Sequence, residues 1–286
     1  IYMALKPALS VHDQIELLRQ RGMTIDDEKK ATAFLQSNHY YRLNIYFHKF
    51  MDSPDHYQKD FQFSQIIAVY ENDRWLRNKI LSILEPIEIN TRTQISHHLA
   101  LTYGSDAFYQ AKIFKDSVKY QEIFDNFSVE IARNKKDPVI VHHQKKYAGV
   151  FPIWVVVEFF SFNTLSKLYK NLLEPDKKII AQGLYNANDY LFGQWLHVLS
   201  IQRNICAHYG YLFRREYPIR PIIAKSFKWD PTQDNQLFAL FLVMRRLSDR
   251  NLWLTFIQNI FDAEKNRPFF DLGDYGFPTD WRSYLV

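Results

Sequence analysis

Apolar positions recur with a period near 3.6 residues along most of the chain, which predicts a succession of amphipathic helices. Ser10 followed by Asp13 reads as a capping box opening a helix through Gln20, with Gly22 as its stop. Thr24 or Asp26 opens a second helix. The segment Met51 to Gln62, with Pro54, reads as a loop. Ser64 caps a long pattern that ends near Tyr103 and Gly104; Ile66, Val69, Leu76, Ile80, Leu84 and Ile87 supply its apolar face. Pro86 is expected to kink or divide this helix. Asp116 to Tyr147 is polar and basic, either a charged helix pair facing solvent or a phosphate-tracking surface. Pro152 fits the first position of a core helix through the most apolar run, Val155 to Phe162, with a break near Asn163. Pro175 and Asp176 begin a short helix, and Asn186 or Asn188 caps the one after it. Gln233 to Phe261 is again helical. The aromatic tail from Pro268 is expected to dock on the core or on a second copy.

Composition agrees with an all-α chain. Only 8 of 286 residues are glycine, while 47% are hydrophobic and 23% charged. No internal repeat or domain linker stands out, so residues 1–286 read as one domain: an N-terminal helical segment over 1–60, a core over 61–220 and a helical C-terminal extension over 221–286. The formal charge of +5 is compatible with a polyanionic partner. A single cysteine, Cys206, excludes an intrachain disulfide framework and fits a reducing compartment. No signal-peptide pattern opens the chain. No run reaches the ~18 apolar residues of a membrane span. The expected location is cytoplasmic.

Candidate chemistry gathers in the stretch from Gln194 to Gly210. Trp195, Leu196, Val198, Leu199, Ile201 and Ile205 give it a helical apolar face, and Gly210 sits where a C-cap would be. Arg203, Asn204 and His208 interrupt that face in the last two turns. Asn204 and His208, four apart, lie one above the other, with Arg203 flanking them. A histidine at the negative end of a helix can take or give a proton near neutral pH. An arginine beside it can clamp a phosphate. Alternatively, His208 is only a helix-end side chain and Arg203 a solvated surface charge.

Other polar groups carry weaker signals. Tyr40 to Phe50 interleaves tyrosines with Arg42 and His48; Tyr41 and Arg42 could stack on bases, or the segment is a half-buried aromatic stretch. Arg214, Arg215 and Arg220 form a basic loop after the helix. Glu88 and Arg92 read as a surface ion pair. His97-His98 and His142-His143 lack the spacing of metal ligands, so no metal and no cofactor is expected.

These residues together resemble the Abi-like (abortive infection, phage resistance) protein family, within the HEPN ribonuclease superfamily. The likeness spans about residues 5–220. It rests on Lys6-Pro7-Ala8-Leu9-Ser10, Tyr40-Tyr41-Arg42-Leu43, the run from Tyr70 to Arg77, and Glu85-Pro86-Ile87-Glu88-Ile89-Asn90-Thr91-Arg92-Thr93. It continues through Pro152-Ile153-Trp154-Val155, Glu158 and Ser161-Phe162, and ends at Arg203-Asn204-Ile205-Cys206-Ala207-His208, similar to the superfamily's R-N-x-x-x-H signature. The chain departs from the family pattern at Asn72, at Asn163 and at Leu212-Phe213-Arg214-Arg215, where the family usually has Leu-Trp-Asn-Arg.

The resemblance implies a HEPN-like helical bundle with added N- and C-terminal helices, and a metal-independent endoribonuclease acting in phage defence. Arg203, Asn204 and His208 would be its catalytic residues. RNA is the implied partner, as substrate and as a small structured regulator. RNA carries its own nucleophile, the 2′-OH, so cleavage needs a base, an acid and positive charge near the phosphorus. One Arg-Asn-x-x-x-His set per chain supplies one histidine, so a homodimer with a composite cleft is expected. Two other readings stay open: a non-cleaving RNA-binding or antitoxin-like module using Arg214, Arg215 and Arg220, and a purely protein-binding helical dimer.

Overall fold

The structure is a computed structural model and describes residues 7–223, 225–227, 229 and 235–286. Lys6 of the first motif and Gln233 at the start of the last predicted helix lie outside the described residues.

The chain opens as its caps dictate. Ser10 and Asp13 form the capping box of α1 (Val11–Gln20), and Gly22 turns the chain at φ +89°. Asp27, one residue beyond the predicted alternatives, caps α2 (Glu28–Ser37) by accepting the Lys30 amide. The Tyr-rich segment is helical as α3 (Tyr40–Phe47), burying Leu43, Tyr46 and Phe47. The predicted loop after it holds a short antiparallel hairpin, β1 (Met51–Ser53) and β2 (His56–Tyr57), turned by Asp55 at φ +63°.

Helix α4 (Phe63–Tyr103) runs unbroken for 41 residues, about 60 Å at 1.5 Å per residue. Its box is Gln62 with Gln65, not Ser64, whose amide instead donates to Asp26. Pro86 sits inside it without dividing it. Ile83, Leu84 and Ile87 around the proline are all buried, so packing holds the helix through the missing amide. Two charged pairs, Asp73 with Arg77 and Glu88 with Arg92, lie on this buried stripe.

The remaining helices pack around α4. Asp116 and Asp137 cap α5 (Ser117–Arg133) and α6 (Pro138–Lys146). The expected core helix is only one turn, α7 (Ile153–Val156), followed by a 3-10 turn, because Ser161 caps a new helix α8 (Phe162–Asn171). Helix α9 (Glu174–Tyr185) ends at left-handed Asn186, and Asn188 caps α10 (Asp189–Ala207). Helix α10 packs against α4, α8 and α9, burying Trp195, Leu196, Val198 and Leu199, while Ile201 is half-buried. The last helical stretch is two helices, α11 (Leu237–Leu247) and α12 (Arg250–Asn266), because Asp249 caps the second. The tail docks on this chain's own core through Phe270, Tyr275, Phe277 and Trp281, and ends in α13 (Trp281–Leu285). Phe269 stays exposed. The fold is therefore all-α apart from one small hairpin among the described residues, and its buried apolar side chains form one cluster from Ile15 to Leu285. No helix in the described residues is long and apolar enough to cross a membrane.

Candidate functional site

Helix α10 stops in a defined way. The Gly210 amide donates to the Ile205 carbonyl at 2.8 Å and the Tyr209 amide to Cys206 at 3.2 Å, the paired bonds of a Schellman end. The left-handed residue is Tyr209 at φ +61°, not the glycine. Gly210 is needed for another reason: a Cβ there would stand 3.0 Å from Ile205 Cγ2 and 3.1 Å from its carbonyl oxygen. His208 is the cap residue itself and is exposed.

Helix α4 and helix α3 fix this end in place. The Leu212 and Phe213 amides both donate to the buried Asp73 carboxylate, at 3.1 and 3.0 Å. Arg77 pairs with that carboxylate at 2.5 Å and reaches the Gly210 carbonyl at 3.4 Å, and Tyr46 of α3 donates to it at 2.7 Å. Burial pushes the Asp73 carboxyl up, while Arg77 and these donors pull it down. Arg42 of α3 donates to the Tyr209 carbonyl. In the sequence, Asp73 and Arg77 enter only through the run from Tyr70 to Arg77 that carries the family resemblance, with no role in holding the end of α10. The available signal was an acid and a base four apart on an otherwise apolar face.

Arg203 and Asn204 face elsewhere. Arg203 Nε lies 3.4 Å from Glu88, and Arg203 also donates to Asn204 Oδ1 at 3.4 Å. Glu88 and Arg92 are not the surface pair expected. They are largely buried, 2.9 Å apart, and Arg92 also donates to the Phe160 carbonyl at 2.8 Å. Burial pushes the Glu88 carboxyl up against the pull of Arg203 and Arg92. Arg203 thus lines a hollow of about 310 Å³ with Glu85, Glu88, Ile89 and Arg92.

His208 lines a different, open cavity of about 420 Å³, together with Tyr41, Arg42, Tyr209 and Tyr211. The residues picked from the Tyr-rich segment are therefore brought to His208, whereas Arg203 is not in the same cavity. Tyr41 and Tyr209 are strongly exposed, 80% and 69%. The basic loop behaves differently. Arg214 pairs with Asp274 at 2.9 Å, Arg215 stacks on Tyr211 at 4.9 Å, and only the exposed Arg220 is not committed by its side chain among the described residues. Lys135, Lys136, Lys145 and Lys146 are exposed.

The model of the Abi-like protein family matches residues 33–214, from α2 through the loop held by Asp73. The chain belongs to the Abi-like protein family. Membership points to abortive infection, a form of phage defence. No curated protein and no solved structure matches the chain. The match contains every residue of the His208 cavity and ends at Arg214, ahead of α11, α12 and α13. The turn after α12 is tied to α4 at one of the positions where the chain departs from the family pattern: Asn72 donates to the Pro268 carbonyl and accepts from Arg267, both at 2.8 Å. The remaining histidine pairs of this Abi-like protein are engaged in structure. His98 bonds Asp176 at 2.7 Å, and His143 bonds the Val139 carbonyl at 2.8 Å. Cys206 is buried, and burial pushes its thiol up to about 12, which fits a packing role.

Proposed function

We propose that this Abi-like protein is an endoribonuclease of phage defence, cleaving RNA by attack of the 2′-OH on the adjacent phosphate. The observation that carries the reading is the His208 cavity. A solvent-reached imidazole sits on an open cleft rimmed by the rings of Tyr41, Tyr209 and Tyr211 and by Arg42. Exposed tyrosines give stacking surfaces for unpaired bases, worth about 1–3 kcal/mol per base. Imidazole supplies proton transfer at the 2′-oxygen or the 5′-oxygen. The cavity has the size of a small-ligand site and fits a nucleotide unit rather than a duplex.

Arg203 favours a dimeric version of this site. It lies over Glu88, in a separate hollow from His208. A C2 homodimer that abuts the two α10 ends would carry the Arg203 of a second copy to the phosphate, with Asn204 orienting that guanidinium. The non-cleaving RNA-binding reading relied on Arg214, Arg215 and Arg220. Arg214 and Arg215 are committed within the chain, so that reading has less to stand on. Incubating the purified protein and its His208→Ala variant with unstructured RNA tests the proposal, because only the wild type should cleave.

A further inference from the structure

The cavity holds a second histidine. His48 and Asn44 line it from α3, together with His208 from the end of α10. The two helix ends match in chemistry. Each imidazole is the cap residue of its helix, and each backbone amide of the pair closes on an asparagine carbonyl four residues back, Asn44 for His48 and Asn204 for His208. An arginine precedes each asparagine at a different spacing, Arg42 two residues before Asn44 and Arg203 one residue before Asn204. One chain thus directs two similar helix ends at one space.

The two rings differ from the chain's structural histidines. His39, His98 and His143 are each hydrogen-bonded through a ring nitrogen. Among the described residues, neither the His48 ring nor the His208 ring has a hydrogen bond, ion pair or ring contact. Their backbone is nevertheless held firmly. Arg42 donates to the Tyr209 carbonyl. Buried Asp274 accepts from Lys49, next to His48, and from Arg214, in the loop after His208. The scaffold is fixed while both imidazoles stay free for solvent or ligand, the arrangement expected of a pre-organised proton-transfer pair.

We propose that His48 is the second catalytic residue, completing with His208 an acid–base pair inside a single chain. This rests on the ribonuclease reading above. One imidazole takes the 2′-OH proton as the 2′-oxygen bonds to phosphorus. The other, protonated, gives its proton to the 5′-oxygen as the P–O5′ bond breaks. The products are a 2′,3′-cyclic phosphate and a free 5′-OH, with no oxidant, reductant or further reactant. Two copies of the chain are then not needed to supply two histidines.

The test uses purified full-length chains on a single-stranded RNA and on the same RNA with a bridging sulfur at the 5′-oxygen. That sulfur leaves without needing a proton. Wild type should cleave both. His48→Ala and His208→Ala should each lose about 10²–10⁴-fold on ordinary RNA. The variant lacking the general acid should recover on the sulfur substrate and the other should not. A structural role would produce no such selective rescue. An equimolar mixture of the two variants should stay inactive. Recovery to about a quarter of wild type would mean that the pair forms between chains and would overturn the proposal. Unchanged cleavage by His48→Ala and His48→Gln beside a dead His208→Ala would remove His48 and leave the ribonuclease reading standing. His48→Gln decides the matter if the alanine variant fails to fold. A wild type that cleaves neither RNA would remove both.

Discussion

Asp73 and Leu212 are joined across 139 residues by a hydrogen bond of 3.1 Å between a buried carboxylate and a backbone amide. Phe213 adds a second amide and Arg77 the balancing charge. Removing one member of a buried ion pair leaves the other unpaired and costs about 3–5 kcal/mol. Asp73→Ala should therefore lower unfolding stability by that order, whereas Tyr46→Phe, which removes one donor to the same carboxylate, should cost about 1 kcal/mol. Urea unfolding of both variants measures this. Equal and small losses would contradict the hub role.

Gly210→Ala should be destabilising by about 1–3 kcal/mol, since its methyl group would press on Ile205 in the last turn of α10. Tyr209→Gly relieves a left-handed tyrosine and should be tolerated in the fold. In thermal melts Tyr209→Gly should stay near wild type, with Gly210→Ala clearly lower.

Cys206 titrates in a way that ties it to stability. Burial holds its folded pKa at about 12, above the ordinary thiol value of 9.0. The folded state keeps the proton longer than the unfolded chain does. This contribution is thus fully present below pH 9 and is lost as pH rises from 9 towards 12. Native protein at pH 8 should resist iodoacetamide and react only as denaturant unfolds it. Rapid alkylation of the folded chain would contradict the buried assignment.

Much of this architecture was legible in the sequence, and the misses share a cause. Capping chemistry is local, so Ser10 with Asp13, Asn188 and Gly22 announced their turns correctly. Gly210 also marked the end of α10, although the left-handed position belongs to Tyr209. Long-range contacts were not legible. Pro86 looked like a break because periodicity cannot weigh the packing around it. Glu88 and Arg92 looked like a surface pair because four-residue spacing says nothing about Phe160 and Arg203 arriving from elsewhere. His208 could be picked from its helix position and from family resemblance. His48 did not stand out, because only the packing of α3 beside the end of α10 sets it on the same cavity as His208.

Arg203 should matter for cleavage far more than for folding. It is one-third exposed and its pair with Glu88 spans 3.4 Å, so Arg203→Ala should cost no more than about 1 kcal/mol. Cleavage should fall at least about 10²-fold if the guanidinium stabilises the phosphorane. With Arg203 acting from a second copy, mixing Arg203→Ala with His208→Ala should restore activity to about a quarter of wild type. No restoration would place its action within its own chain.

The most direct measurement follows one end-labelled single-stranded RNA incubated with wild-type protein and with His208→Ala, each in excess EDTA, and analyses the new ends. Wild type should cleave in EDTA and leave 2′,3′-cyclic phosphate and 5′-OH termini, while His208→Ala, folded as judged by circular dichroism, should leave the RNA intact. Cleavage that dies in EDTA, products ending in 5′-phosphate, or equal cleavage by the variant would contradict it.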